Sequence, residues 1–268
     1  MTNELTIKLS KLEVPKEDLE KMPASELAFL STLAFAIDEI SVFLKLIIQT
    51  FKPRPSSEEF LAAYQIQQNT LMRVLNAKCF EALKIVEQYK KQIEREGDSS
   101  RLEKLSELMV ELDELAKREE YELAKDIRDH STNHYLSSET KKNVAHLSSR
   151  STFTAYLHEN LGNSFHPFGE EYVFLARIGR HFSEKGDASY SVDDIKKWID
   201  WGLAVGDQIT KIFQRYLLWL YSEKFPHWRL EPLLLYLENE LVGKIGISNL
   251  PIILSADAYF ARKTKTSS

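Results

Sequence analysis

The chain has 268 residues and a formal charge of -5, from 35 Lys and Arg against 40 Asp and Glu, and it is 43% hydrophobic and 28% charged. Its 9 Gly and 8 Pro fall below the roughly 7% and about 5% of ordinary chains, so few, long elements are expected. Collagen-like, low-complexity and disulfide-scaffold classes are excluded, and no global field draws the chain onto nucleic acid or an anionic membrane. Any phosphate binding is therefore local.

Residues 1–22 are polar and weakly patterned, and Met1 to Ser10 lacks the charged start, apolar run and cleavage site of a secretory signal. Pro23-Ala24-Ser25-Glu26 then offers a start, with Ser25 as N-cap, for a helix from about Ser25 to Phe51. Leu27 to Ile48 is long enough to span a bilayer, but it carries Asp38, Glu39 and Lys45. A buried central helix is the better reading, and a cytoplasmic protein without a membrane span is expected. Either one of Asp38 and Glu39 faces a partner such as Arg128 or His134, or both lie on an exposed edge.

Lys52-Pro53-Arg54-Pro55 stops the first helix, and Ser56 with Glu59 forms a capping box for a second, running uninterrupted by Gly or Pro to Glu96. The single cysteine, Cys79, falls inside it and reads as a buried position in a reducing compartment rather than a nucleophile. Gly97-Asp98-Ser99 breaks the helix, and Ser100 with Glu103 starts a third. Leu105, Leu108, Leu112 and Leu115 supply its apolar face, and the short connection makes it antiparallel to the second.

Beyond Ser148 the texture changes. Thr152 to Tyr156 alternates like a short strand, and Gly162, Pro167 and Gly169 suggest turns, so a small β-hairpin and an irregular connector fit equally after residue 150. Ser191 with Asp194 opens a long helix from Val192 to Lys224, in which Gly202 and Gly206 permit close packing, and Glu231 to Val242 reads as a shorter amphipathic helix. The aromatic series from Trp198 to Trp228, including Phe225, is either core or a stacking surface. The fold class expected is all-α, a helical bundle on a long antiparallel hairpin. Residues 1–150 form the bundle that carries the candidate site, and 151–268 form a C-terminal helical portion packed on it as one compact unit.

The nucleophile elbow, Walker loop, Rossmann fingerprint, zincin motif and Cys-x-x-Cys pair are all missing from the sequence. What stands out is Asp126-Ile127-Arg128-Asp129-His130-Ser131-Thr132-Asn133-His134-Tyr135. It gathers a permanent cation, carboxylates, two imidazoles and a carboxamide within about two helical turns. Arg128 can hold a phosphate in bidentate fashion, and His134 can move a proton near neutral pH. Those two functions suffice to cleave an RNA phosphodiester, whose own 2′-hydroxyl is the nucleophile, without metal or cofactor.

Arg128-Asp129-x-x-x-x-His134 resembles the Arg-polar-spacer-His motif of HEPN domains, helical modules frequent in prokaryotic toxins and defence proteins. The resemblance implies a homodimer that juxtaposes two motifs as one RNA-cleaving site, or an RNA-binding relative that has lost catalysis. It also implies that Arg128 contacts the scissile phosphate, His134 transfers the proton and Asp129 orients them, with His130 and Asn133 as supporting candidates. Lys141, Lys142, His146 and Arg150 follow the motif and are either a positive rim or an ordinary solvated face. Two other readings stay open. One is a non-catalytic helical interaction module, antitoxin-like or scaffold, with a protein partner. The other is a metal-dependent hydrolase whose ligands are Asp126, His130 and His134, completed by His158, Glu159 or His166.

Overall fold

The computed structural model describes residues 5–50, 57–132, 137–147, 151–158, 163–186 and 190–237. In chain order it comprises β1 (Leu5–Glu13), α1 (Lys16–Leu19), α2 (Ala24–Thr50), α3 (Glu58–Glu96), α4 (Ser99–Ala116) and α5 (Glu119–Ile127). A π-helical turn, Arg128–Thr132, extends α5 and is followed by α6 (Ser137–Asn143) and a 3-10 turn, Val144–His146. Then come α7 (Pro167–Glu170), a second π-helical turn (Glu171–Leu175), α8 (Ala176–Glu184), α9 (Val192–Trp219), a third π-helical turn (Leu220–Lys224) and β2 (Arg229–Leu237). The fold is all-α, and the one sheet among the described residues is the antiparallel pair β1 and β2.

Two compact units divide the chain. The first is Met1–Val42, Lys78–Tyr121 and Asp200–Ile247, and the second is Phe43–Ala77, Glu122–Ile199 and Ser248–Ser268.

In the first unit, α3 turns back into α4 through Gly97, whose φ of 72° only glycine adopts cheaply. Asp98 then caps α4, its carboxylate accepting from the Arg101 N–H at 2.9 Å. The cap is thus Asp98 and not Ser100, because the carboxylate directly after the turn reaches the free amides first. The two helices run antiparallel. Glu96 pairs with Arg101, Lys90 with Asp113 and, farther from the turn, Lys84 with Tyr121 at the start of α5. Leu105, Met109, Leu112 and Leu115 are buried on one α4 face against a core that includes Leu33, Ile40, Leu83, Val86, Val205 and Ile209.

Gly206 in α9 sits where a Cβ would lie 3.3 Å from Cys79 Sγ and 3.4 Å from Ile40 Cγ2. Cys79 is fully buried, and burial pushes its thiol up to about 12. Two tryptophans of the series are core in this unit, Trp201, 1% exposed and donating to the Leu115 carbonyl at 2.9 Å, and Trp228, donating to buried Asp18 at 3.1 Å, whereas Trp219 is only half-buried. A buried polar network lies among these helices. Glu26 accepts from the Tyr216 hydroxyl at 2.8 Å and from Tyr89 at 3.4 Å, and the two hydroxyls are 3.1 Å apart. Burial raises the Glu26 pKa above the ordinary glutamate value despite those hydrogen bonds.

The ends of the chain depart from expectation. Residues 5–13, read as unpatterned, form β1, and the helix expected from Glu231 to Val242 is β2 as far as Leu237, the remainder lying outside the described residues. Pairing runs from Leu5↔Leu237 to Glu13↔Arg229, with Pro232 opposite Ser10. Pro232 lacks the N–H that a central strand needs, and a two-stranded ribbon has only edge strands, where proline is tolerated. Leu9, Leu233, Leu234 and Leu235 on this ribbon are exposed.

In the second unit the described residues after 150 are neither a regular hairpin nor wholly irregular. Tyr156 and Phe165 form a single antiparallel bridge, and Pro167, read as a turn residue, is instead the first residue of α7. The helical run 167–184 that follows was not expected from the scattered glycines. Phe174, Ile178, Trp198, Leu123, Ala124 and Ile127 form the core of this unit. The long helix expected from Val192 to Lys224 is present as α9 and the π-helical turn that continues it. The start of α3 is capped by Ser57, whose hydroxyl accepts from the Phe60 N–H at 3.2 Å, and Ser56 lies outside the described residues.

Two sequence expectations concern α2. Among the described residues it is the one helix long and apolar enough to cross a membrane by length and composition. Its Glu39 pairs with Lys78 at 2.8 Å, and Asp38 is exposed.

Candidate active site

The last turn of α5 and the π-helical turn after it carry most of the motif. Leu123, Ala124 and Ile127 bury one face, so that Asp126 and Arg128–His130 fall on the flanks of that apolar stripe. Asp126 is the centre of a clamp. Its carboxylate accepts from Arg177 in bidentate fashion, from Nε at 2.8 Å and from Nη2, and its Oδ2 lies 3.1 Å from His181 Nδ1. His130 Nδ1 lies 3.0 Å from both the Asp126 backbone oxygen and Oδ1.

Arg177 and His181 are one turn apart on α8 and buried, at 5% and 8% exposure. Burial works to raise the Asp126 carboxyl, and the hydrogen bonds from His181 and Arg177 overcome it, leaving its pKa below the ordinary carboxylate value. The acid is therefore held as an anion beneath the motif.

Above this clamp the groups are more open. Arg128 Nη1 donates to Asp129 at 2.5 Å, with the two side chains 31% and 33% exposed, and the His130 side chain is 34% exposed. With two Asp126 oxygens as its partners, Nδ1 of His130 is the donating nitrogen. The widened turn itself is tied down: the Ser131 hydroxyl donates to the Val173 carbonyl at 3.2 Å and Thr132 to that of Ile127 at 3.3 Å. Val173 belongs to the second π-helical turn, and Asn143 of α6 donates to the neighbouring Tyr172 carbonyl at 3.4 Å. Such one-turn widenings of a helix frequently accompany functional sites, because they re-aim side chains at the cost of one regular hydrogen bond.

His134 and Asn133 lie outside the described residues, as do Tyr135, Arg150 and Glu159. Arg128, Asp129 and His130 are brought together. Of the residues expected to form a positive rim, Lys141 and Lys142 are exposed, the latter paired with Glu139 at 2.6 Å. For the metal reading, the Asp126 carboxylate is taken up by a guanidinium, His158 and His166 are exposed, and among the described residues no three His, Cys, Asp or Glu side chains gather as a ligand set. The sequence reading missed Arg177 and His181. Their spacing of four, one face of a short helix, was the available signal, but their distance of more than fifty residues from Asp126 concealed the partnership.

No family model, curated protein or solved structure matches the chain.

Proposed function

We propose that this chain is a HEPN-like, metal-independent ribonuclease of the cytoplasm, working as a homodimer in a toxin or defence setting, or an RNA-binding relative that has kept the site without the chemistry. Arg128 holds the scissile phosphate, Asp129 orients its guanidinium, and His134 takes the proton from the 2′-hydroxyl. The 2′-oxygen then bonds to phosphorus as the bond to the 5′-oxygen breaks, and that oxygen leaves with a proton taken from water. The products are a 2′,3′-cyclic phosphate and a 5′-hydroxyl.

The observation that supports this reading is the clamp on Asp126. A largely enclosed carboxylate gripped by Arg177 and His181 fixes the one turn that carries the half-buried Arg128, Asp129 and His130. Rigid support beneath solvent-accessible, chemically able side chains is what electrostatic catalysis requires. The test is cleavage of mixed-sequence RNA in EDTA by the wild type, Arg128→Ala and His134→Ala prepared identically. Activity in the wild type and its loss in both variants is the expected result, whereas equal activity in all three means a contaminant and defeats the proposal.

One observation favours the interaction-module reading, in which the histidines do no chemistry. Leu9, Leu233, Leu234 and Leu235 stand exposed on a two-stranded ribbon, a form marginal in water without cover. Partner binding through the ribbon together with an inert motif would support that second reading.

A further inference from the structure

Among the described residues, the most exposed Phe, Tyr or Trp ring of the second unit lies on the segment 151–158. Phe153 is 72% exposed, yet one face of its ring is stacked on Phe168 with centroids 3.9 Å apart. Tyr172 stands edge-on to both rings at 6.4 Å, and His166 edge-on to Phe168 at 6.1 Å. The segment is braced: the Thr154 N–H donates to the Thr152 carbonyl at 3.1 Å and the Phe168 N–H to that of Thr154 at 3.3 Å. Tyr156 and Phe165 exchange backbone hydrogen bonds of 2.8 and 3.0 Å. Water ordinarily drives such a ring inward, and here local hydrogen bonding holds it out, 72% exposed.

We propose that Phe153, backed by Phe168 and Tyr172, is a stacking platform for an unpaired base of single-stranded RNA. The proposal rests on the ribonuclease reading and specifies which RNA that site takes. Two further observations support the ligand class. Tyr172 lies in the same π-helical turn whose Val173 carbonyl binds Ser131, so the platform is tied through one residue to the turn bearing Arg128. Asn143 bonds the Tyr172 carbonyl and thereby fixes α6, whose exposed Lys141 supplies positive charge for phosphates, Lys142 being paired with Glu139. Aromatic faces beside ammonium groups are the combination that grips single strands, while a duplex hides its base faces. The tryptophans Trp198, Trp201 and Trp228 cannot serve, since each is at most 3% exposed. Leu157, 82% exposed on the same segment, offers apolar surface without a π-face and is a natural control.

The experiment is fluorescence anisotropy of a labelled single-stranded RNA, and of the same sequence as a duplex, in the His134→Ala background so that binding is read without turnover. Phe153→Ala is expected to weaken single-strand binding by about 5- to 100-fold, the loss of one base–aromatic stack. Phe153→Trp should restore it, Leu157→Ala should leave it unchanged, and the duplex should bind more weakly throughout. The proposal is overturned if Phe153→Ala binds as tightly as its parent, if Leu157→Ala loses as much, or if the parent binds no single strand. It is also overturned if Phe153→Ala lowers the sedimenting mass instead, because the ring is then covered by protein. The ribonuclease reading fails separately, by EDTA-resistant cleavage that survives His134→Ala.

Discussion

Removing the Asp126 carboxylate is the sharpest perturbation of the second unit. Asp126→Ala deletes the acceptor of two guanidinium hydrogen bonds and two imidazole contacts and leaves the charge of Arg177, 5% exposed, with only Glu184 at 3.9 Å. Breaking a buried ion pair from one side costs about 3–5 kcal/mol. At about 2–4 °C per kcal/mol for chains approaching this size, that is a fall in Tm of roughly 6–20 °C. Asp126→Asn keeps one acceptor oxygen and loses the charge, so its cost should be smaller, about 1–3 kcal/mol.

The sign with pH follows from the lowered pKa of Asp126. A carboxyl whose folded pKa is depressed contributes stability that is fully present above its unfolded value, about 3.9, and lost as pH falls through the folded one. Urea titrations followed by tryptophan fluorescence should therefore show a large gap between wild type and Asp126→Asn at pH 7 that narrows in acid. A loss from Asp126→Ala below about 1 kcal/mol, the range of a surface ion pair, or a gap that widens in acid, would refute the clamp.

Three further outcomes are expected. Arg128 and Asp129 are each about one-third exposed, so Arg128→Ala should change unfolding free energy by no more than about 1 kcal/mol while abolishing RNA cleavage, a separation read by running denaturation and nuclease assays on the same preparation. Glu26 has a raised pKa, so its folded state favours the neutral acid, and stability is lost as pH rises from about 4.3 through the folded value; Glu26→Gln, which keeps an acceptor for Tyr216, should flatten that decline in a Tm-against-pH series. Gly206→Ala gains about 1 kcal/mol of helix propensity but places a methyl carbon 3.3 Å from Cys79 Sγ and 3.4 Å from Ile40, a clash costing about 1–3 kcal/mol. Net destabilisation is expected in urea titration, relieved when Cys79→Ala is added.

The helices were legible because their signals are local. The apolar period of α4, the Gly97 turn, and the run from Val192 to Lys224 each lie within one stretch of chain. The β1–β2 ribbon was not, since its strands pair across more than two hundred residues and Leu230–Leu235 is leucine-rich enough to read as a helix. Pro232 fitted the first turn of that expected helix as well as it fits an edge strand. The two units were illegible for a related reason, each being assembled from three separate segments, so no shift in composition marks a boundary. At the site, Arg128, Asp129 and His130 were found from their density in one stretch. Arg177 and His181 were not, because what makes them matter is burial against Asp126, and burial is set by packing rather than by neighbours in sequence.

The central claim is that the RNA's own 2′-hydroxyl attacks phosphorus under the Arg128–His134 segment. The most direct measurement is cleavage, in EDTA, of an RNA cut at one position, beside the same strand carrying a single 2′-deoxy nucleotide on the 5′ side of that bond. The account predicts a 2′,3′-cyclic phosphate from the RNA, no cut at the substituted bond, and no product from either strand with His134→Ala. Cleavage of the deoxy-substituted bond, or a product ending in a 3′-hydroxyl, would contradict it.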